Sequence, residues 1–245
     1  VKFCSECIGP EVGTALASLA PGNLLLLENL RFHPEEQEND PKFAESLAAP
    51  FDVFVMDAFS ASHRADASTN AIMNVLPSFS GFLLEREVNM LSAVSENPEK
   101  PFILILGGAK VSDKIGVVEH LMDKATAILI GGGMAFTFLK AGGANIGRSL
   151  FESEKAGFAL EMMKKADEKG VEILLPIDVV AGASLDMSQG DRIVPADEIP
   201  EDLMGLDIGP KTAELFANKA AGAKTVLWNG PMGVFENPLF AKGTR

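Results

Sequence analysis

Cysteine is scarce in this chain: its 245 residues contain two, Cys4 and Cys7, as a lone C-x-x-C. A structural zinc site needs two further ligands, and His33, His63 and His120 do not have the spacing of a finger pair. The pair reads as two reduced thiols near a strand end, with a thioredoxin-like redox motif as the alternative. Basic charge is also short. Lys and Arg number 21 against 34 Asp and Glu, a net charge of −13, which argues against a nucleic-acid partner and against attraction to an anionic membrane surface. A phosphate site must therefore be a local basic pocket in an acidic body. Nor is there a membrane segment: the uncharged stretch from Ala125 to Leu139 falls short of the roughly 20 residues a spanning helix needs, and Gly131, Gly132 and Gly133 interrupt it. The opening Val1-Lys2-Phe3-Cys4 lacks both an initiator Met and the basic-then-apolar pattern of a secretory signal, so the chain reads as starting within a longer protein. Two nucleotide fingerprints are missing as well. No G-x-x-x-x-G-K-[ST] occurs and no G-x-G-x-x-G follows a strand, so neither a P-loop NTPase nor a Rossmann dehydrogenase is indicated.

What is present is a soluble composition, 47% hydrophobic with 23 Gly and 14 Pro, in a chain long enough for one large or two medium domains. Its most informative stretch is Phe102-Ile103-Leu104-Ile105-Leu106, an unbroken apolar run of the kind buried on both faces in parallel sheets. Gly107 and Gly108 then let the backbone turn, and Ser112 or Asp113 is placed to cap a helix through Ile115, Val118, Leu121 and Met122. Lys114 is out of place there. A cation in the first turn opposes the helix dipole at a cost of about 0.3–1 kcal/mol, and Lys110 sits four residues earlier with the same sign. An anion between the two lysines would account for both.

Along the chain, short apolar runs alternate with helical segments, the pattern of a layered α/β sheet. Leu24–Leu27 and Phe51–Met56 read as buried strands, with helices over 11–19 and 41–48. The acidic run from Glu35 to Asp40 reads as a solvated surface. Residues 83–98 form a connecting helix with Leu84, Val88 and Leu91 on one face, separating a first domain (1–82) from a second (99–245). In the second, strands are expected at Ala127–Ile130, Val171–Leu175, Asp178–Ala181 and Thr225–Trp228, and Asp186–Pro200 reads as a polar excursion.

Ligands of open α/β sheets bind beyond the carboxyl ends of the strands. In the second half three strands end in glycine clusters, Gly107-Gly108, Gly131 to Gly133, and Gly230 with Gly233, which are expected to expose backbone N–H groups to a phosphorylated ligand. In the first half two strands are followed by Arg31 and Arg64, whose guanidinium forks suit phosphate or carboxylate.

Five motifs carry a resemblance to a known family: Glu28-Asn29-Leu30-Arg31-Phe32-His33; Asp57-Ala58-Phe59 with His63-Arg64; Gly107-Gly108-Ala109-Lys110-Val111 with Asp113-Lys114; Gly131 to Phe136; and Trp228 to Glu236. In this order they resemble phosphoglycerate kinase. The resemblance implies an α/β enzyme of two Rossmann-like parallel-sheet domains joined by a hinge helix, a cytoplasmic monomer of glycolysis. It would move the acyl phosphate of 1,3-bisphosphoglycerate to ADP with Mg2+, reversibly, giving 3-phosphoglycerate and ATP. Arg31, His63 and Arg64 would hold the phosphoglycerate, and Lys110 and Lys114 would contact the nucleotide phosphates or the group in transfer. Gly108, Ala109, Gly132, Gly205, Asn229, Pro231 and Val234 would border the nucleotide, with Glu236 on its ribose. No metal ligand is assigned. The resemblance places the family's metal-serving Asp beyond Arg245 and further substrate ligands before Val1, so both domains are expected to be incomplete. The competing expectation is a catalytically silent nucleotide-binding segment.

Overall fold

In the computed structural model, which describes residues 1–245, the chain divides inside a helix into two units, Val1–Ser92 and Ala93–Arg245. The first contains β1 (Lys2–Phe3), α1 (Pro10–Ala17), β2 (Leu25–Leu26), α2 (Pro34–Gln37), α3 (Pro41–Ala48), β3 (Phe54–Met56) and β4 (Ser78–Ser80). It then enters α4 (Phe82–Glu96). Its core is built on α3. Asp40 caps that helix by accepting from the Phe43 N–H at 2.7 Å, Pro41 occupies the first turn, and Phe43, Ala44, Leu47 and Ala48 fall on one buried stripe. The stripe packs on Cys7, Ala67, Ala71 and Ile72. Cys4 and Cys7 are free, buried thiols, and burial pushes the Cys7 thiol above its ordinary range.

The strands of this unit differ from expectation. β1 pairs with β2 and β3 with β4, both parallel, but each strand has only one neighbour and Leu26 and Val55 are 59% and 52% exposed. The apolar runs at 24–27 and 51–56 are thus not buried on both faces. Only Phe54 of β3 turns into the core around α3.

The second unit holds a four-stranded parallel sheet in the order β13-β5-β6-β8, where β5 is Phe102–Leu106, β6 Ala127–Ile130, β8 Glu172–Leu174 and β13 Thr225–Asn229. All five residues of β5 are buried, as its sequence requires. Alternate side chains point to opposite faces. Phe102, Leu104 and Leu106 enter a core with α5 (Ile115–Leu121), α6 (Ala135–Ala141) and α7 (Ala156–Glu168). Ile103 and Ile105 enter another with Phe216 of α8 (Pro210–Ala221). Helices therefore cover both faces, and the α/β class read from the sequence holds.

Two features lay outside that reading. β9 (Asp178–Gly182) does not extend the parallel sheet but sits at the centre of an antiparallel one, between β10 (Arg192–Pro195) and β12 (Met204–Ile208). The supposed polar excursion contains β10 and also β11 (Glu198–Ile199), which pairs with β7 (Asn145–Ile146). β10 is an edge strand with Ile193 60% exposed, and its flanking Asp191 and Asp197 mask a short apolar centre.

Candidate functional site

Three strand ends of the parallel sheet meet at one place, and glycine lets them touch. Gly108 N–H donates to Pro231 O at 2.8 Å, Gly132 N–H to Met232 O at 3.0 Å, and Gly107 N–H to Asn229 O at 2.9 Å. At Gly132, in the left-handed region at φ +63°, a Cβ would lie 2.7 Å from both Gly108 N and Gly108 O, so no other residue fits. These N–H groups are spent inside the protein, contrary to the expectation that they face a ligand. The glycines are there for close backbone packing, and the surface they leave is the floor of a cavity.

That cavity has a volume of about 450 Å³. Gly108, Ala109, Gly132, Gly205, Pro231, Val234 and Glu236 all line it. The sequence missed much of its wall: Leu150, Val179, Leu185 and Leu206, together with Phe136 and Phe235 from two of the motifs, make it largely apolar. Gly205 belongs there because a Cβ would fall 2.1 Å from the Phe136 ring. An apolar slot with a polar rim suits a flat, partly charged ligand.

Lys114 stands at the rim. A Cβ on Gly108 would lie 3.8 Å from Lys114 Cε, and Lys114 Nζ donates to Asn229 Oδ1 at 2.5 Å. Neither residue lines the cavity itself, but the pair joins the loop after β5 to the end of β13. Lys110 is exposed on the same loop. Ser112 and Asp113 do not cap α5, whose N-cap is Lys114 with no side-chain bond. Instead Ser112 Oγ donates to Glu152 Oε1 at 2.8 Å, while Val111 N–H and Ser112 N–H donate to Glu152 Oε2 at 2.5 and 3.3 Å. Trp228, next to Asn229, donates its indole N–H to Gly230 O at 2.7 Å.

Asp207 is a buried carboxylate at the cavity wall. Burial pushes it up to about 6, opposed by the backbone N–H groups of Gly243, Ile208 and Lys242. A Cβ on Gly233 or Gly243 would fall 2.3 or 2.4 Å from Asp207 Oδ1, so both glycines exist to let it fit.

The three anion-binding candidates of the first unit lie on two loops tied together by carboxylates. Arg31, in a short 3₁₀ turn capped by Asn29, reaches Asp66 at 3.3 Å. Glu36, within the run taken for a solvated surface, is only 3% exposed. Its carboxylate accepts from Ser68 N–H at 3.0 Å and Ser68 Oγ at 2.5 Å, and its carbonyl accepts from Ala67 N–H at 2.8 Å. His63 and Arg64 are exposed on the second loop, where Thr69 Oγ1 donates to Arg64 O at 2.8 Å. A single glutamate in an acidic run carries no mark in the sequence of which member turns inward.

Comparison with known proteins gives a consistent result. The family model described as "Phosphoglycerate kinase" matches residues 1–245. The chain is 51% identical over 244 residues to a phosphoglycerate kinase of Moorella thermoacetica, covering 100% of this chain and 62% of that one. To one of Gloeothece citriformis it is 51% identical over 245 residues, covering 61% of the relative. Among solved structures, a phosphoglycerate kinase from Coxiella burnetii matches 93% of this chain and 59% of its own with TM-score 0.78 and 42% identity. One from Pyrococcus horikoshii matches 100% and 64% with TM-score 0.82 and 29% identity. The chain thus spans about three fifths of the length of these relatives.

Proposed function

The chain belongs to the phosphoglycerate kinase family, and from that premise we propose that it serves the reversible transfer of the acyl phosphate of 1,3-bisphosphoglycerate to Mg-ADP. The products are 3-phosphoglycerate and ATP. The observation that carries the reading is the glycine-floored apolar cavity with Lys114 fixed at its rim by Asn229. Phe136, Leu206 and Phe235 take the base, Glu236 accepts from the ribose, and the phosphates run towards Asn229, Lys114 and Lys110. A phosphoryl group in flight keeps its negative charge, so a preplaced ammonium lowers the barrier without reorganising. Arg31, His63 and Arg64 hold the phosphate and carboxylate of the phosphoglycerate. In this reading residues 1–82 receive that substrate, 99–245 the nucleotide, and 83–98 connect them. Mg2+ enters with the nucleotide. The reaction belongs to glycolysis, and with it come a cytoplasmic location and a monomeric state; no helix is long and apolar enough to cross a membrane.

Calorimetric titration with Mg-ADP tests the nucleotide assignment. Saturable one-site binding is expected, weakened about tenfold in Lys114→Ala by the loss of a charge-assisted bond. A folded chain that binds no nucleotide overturns the reading. Binding accompanied by turnover in a coupled assay would exclude the silent nucleotide-binding segment.

A further inference from the structure

The loop from Gly107 to Lys114 carries both candidate lysines, and its two ends are tied to the end of β13 and the residues after it. Its middle is held by Glu152, a residue that does not line the cavity and that no sequence motif marked. The carboxylate takes two consecutive backbone N–H groups, Val111 and Ser112, on Oε2 and the Ser112 hydroxyl on Oε1. Consecutive N–H groups converging on one point form an anion nest. Here the nest is filled from within the protein. Glu152 is itself fixed, since its N–H donates at 3.2 Å to Oγ1 of Thr137, a buried side chain of α6. Val111 anchors the middle of the loop in the core, with α5, α6 and α7 around it.

We infer that Glu152 is a positioning residue for phosphate binding: it holds the Val111–Ser112 turn so that Lys114 stays at the cavity rim beside Asn229, with Lys110 on the other side of the turn. The inference rests on the nucleotide reading above. Geometry rather than charge is what it supplies, because the two backbone N–H groups need an acceptor and not a net negative charge, and the Ser112 hydroxyl can either donate or accept. A glutamine at this position offers one oxygen for the two N–H groups and an amide that donates to the Ser112 hydroxyl. It keeps the turn, whereas alanine releases it.

The test compares two ligands on the whole 245-residue chain: Mg-ADP, which needs the lysines, and adenosine, which uses only the slot. Calorimetry serves the first and ligand-observed NMR the second. Glu152→Ala is expected to weaken Mg-ADP by about tenfold, the scale of lost bonds to a charged group, while adenosine affinity stays within about twofold and Glu152→Gln remains near wild type. Equal loss of both ligands in Glu152→Ala would mean general damage to the unit and overturns the positioning role. So would unchanged Mg-ADP affinity, or a Gln variant as impaired as the Ala variant. If the wild-type chain binds neither ligand, the nucleotide reading itself fails and the role falls with it, a result distinct from all the others.

Discussion

Asp207 is the residue whose environment makes the sharpest demand. Its carboxyl rises from 3.8 to about 6 because burial disfavours the charge more than three backbone N–H groups favour it. A group with a raised folded-state value binds more protons folded than unfolded. It therefore contributes stability below about pH 4, and that contribution is lost as pH rises to about 6. The full swing is about 3 kcal/mol at most. Asp207→Asn removes the titration but keeps an oxygen for Gly243 or Ile208 N–H. The stability of the variant relative to wild type is expected to increase across pH 4 to 6 and then level off, as read from thermal melts at several pH values. A difference that does not change with pH would refute it.

At the level of elements, α4 shows how a helix is secured without burying a residue. None of its side chains is buried, yet Asp57 Oδ1 accepts from Leu83 N–H at 2.7 Å and Leu84 N–H at 2.9 Å. A carboxylate at the end of β3 thus satisfies two free N–H groups of the helix and meets its positive pole. Gly81 makes room, since a Cβ there would fall 2.3 Å from Asp57 Cγ. Asp57→Ala should cost about 1–2 kcal/mol in denaturant unfolding, with Asp57→Asn recovering part of it; a neutral Ala variant would remove the cap from the account.

The same contrast between local and distant partners decides what the sequence could tell. β5 was legible because five apolar residues followed by two glycines admit few other structures. The cavity floor was legible too, through glycines whose neighbours no Cβ could share. Where a side chain's role depends on a partner far along the chain, the sequence was silent. Glu36 meets Ser68, and Glu152 meets Ser112. The expectation of free glycine N–H groups failed at Gly107, Gly108 and Gly132 because their acceptors are the carbonyls of Asn229, Pro231 and Met232, at and just beyond the end of β13. β10 was hidden by its own exposure: an edge strand needs little hydrophobic pattern to pair with β9.

For the molecule as a whole, a net charge of −13 opposes the approach of any phosphorylated ligand. At about 10 mM salt the screening length is roughly 30 Å and the ligand feels the acidic body; at about 150 mM it is roughly 8 Å and mainly the nearby lysines remain. The association rate of ADP, followed by stopped flow, is therefore expected to rise by a factor of about 2 to 3 between these conditions, the reverse of ordinary electrostatic steering. A monotonic fall with salt would mean that the local lysine field dominates at every distance.

Trp228 has a use that its hydrogen bond to Gly230 does not suggest. It is the only tryptophan, and the chain has no tyrosine. With excitation that only indole absorbs, and not the 16 phenylalanines, emission therefore arises from one side chain at the end of β13, beside the Asn229 that holds Lys114. A fluorescence melt records the unit 93–245 alone, and the unit 1–92 unfolds unseen by it. Circular dichroism sees both units, so any gap between the two curves measures how independently they unfold.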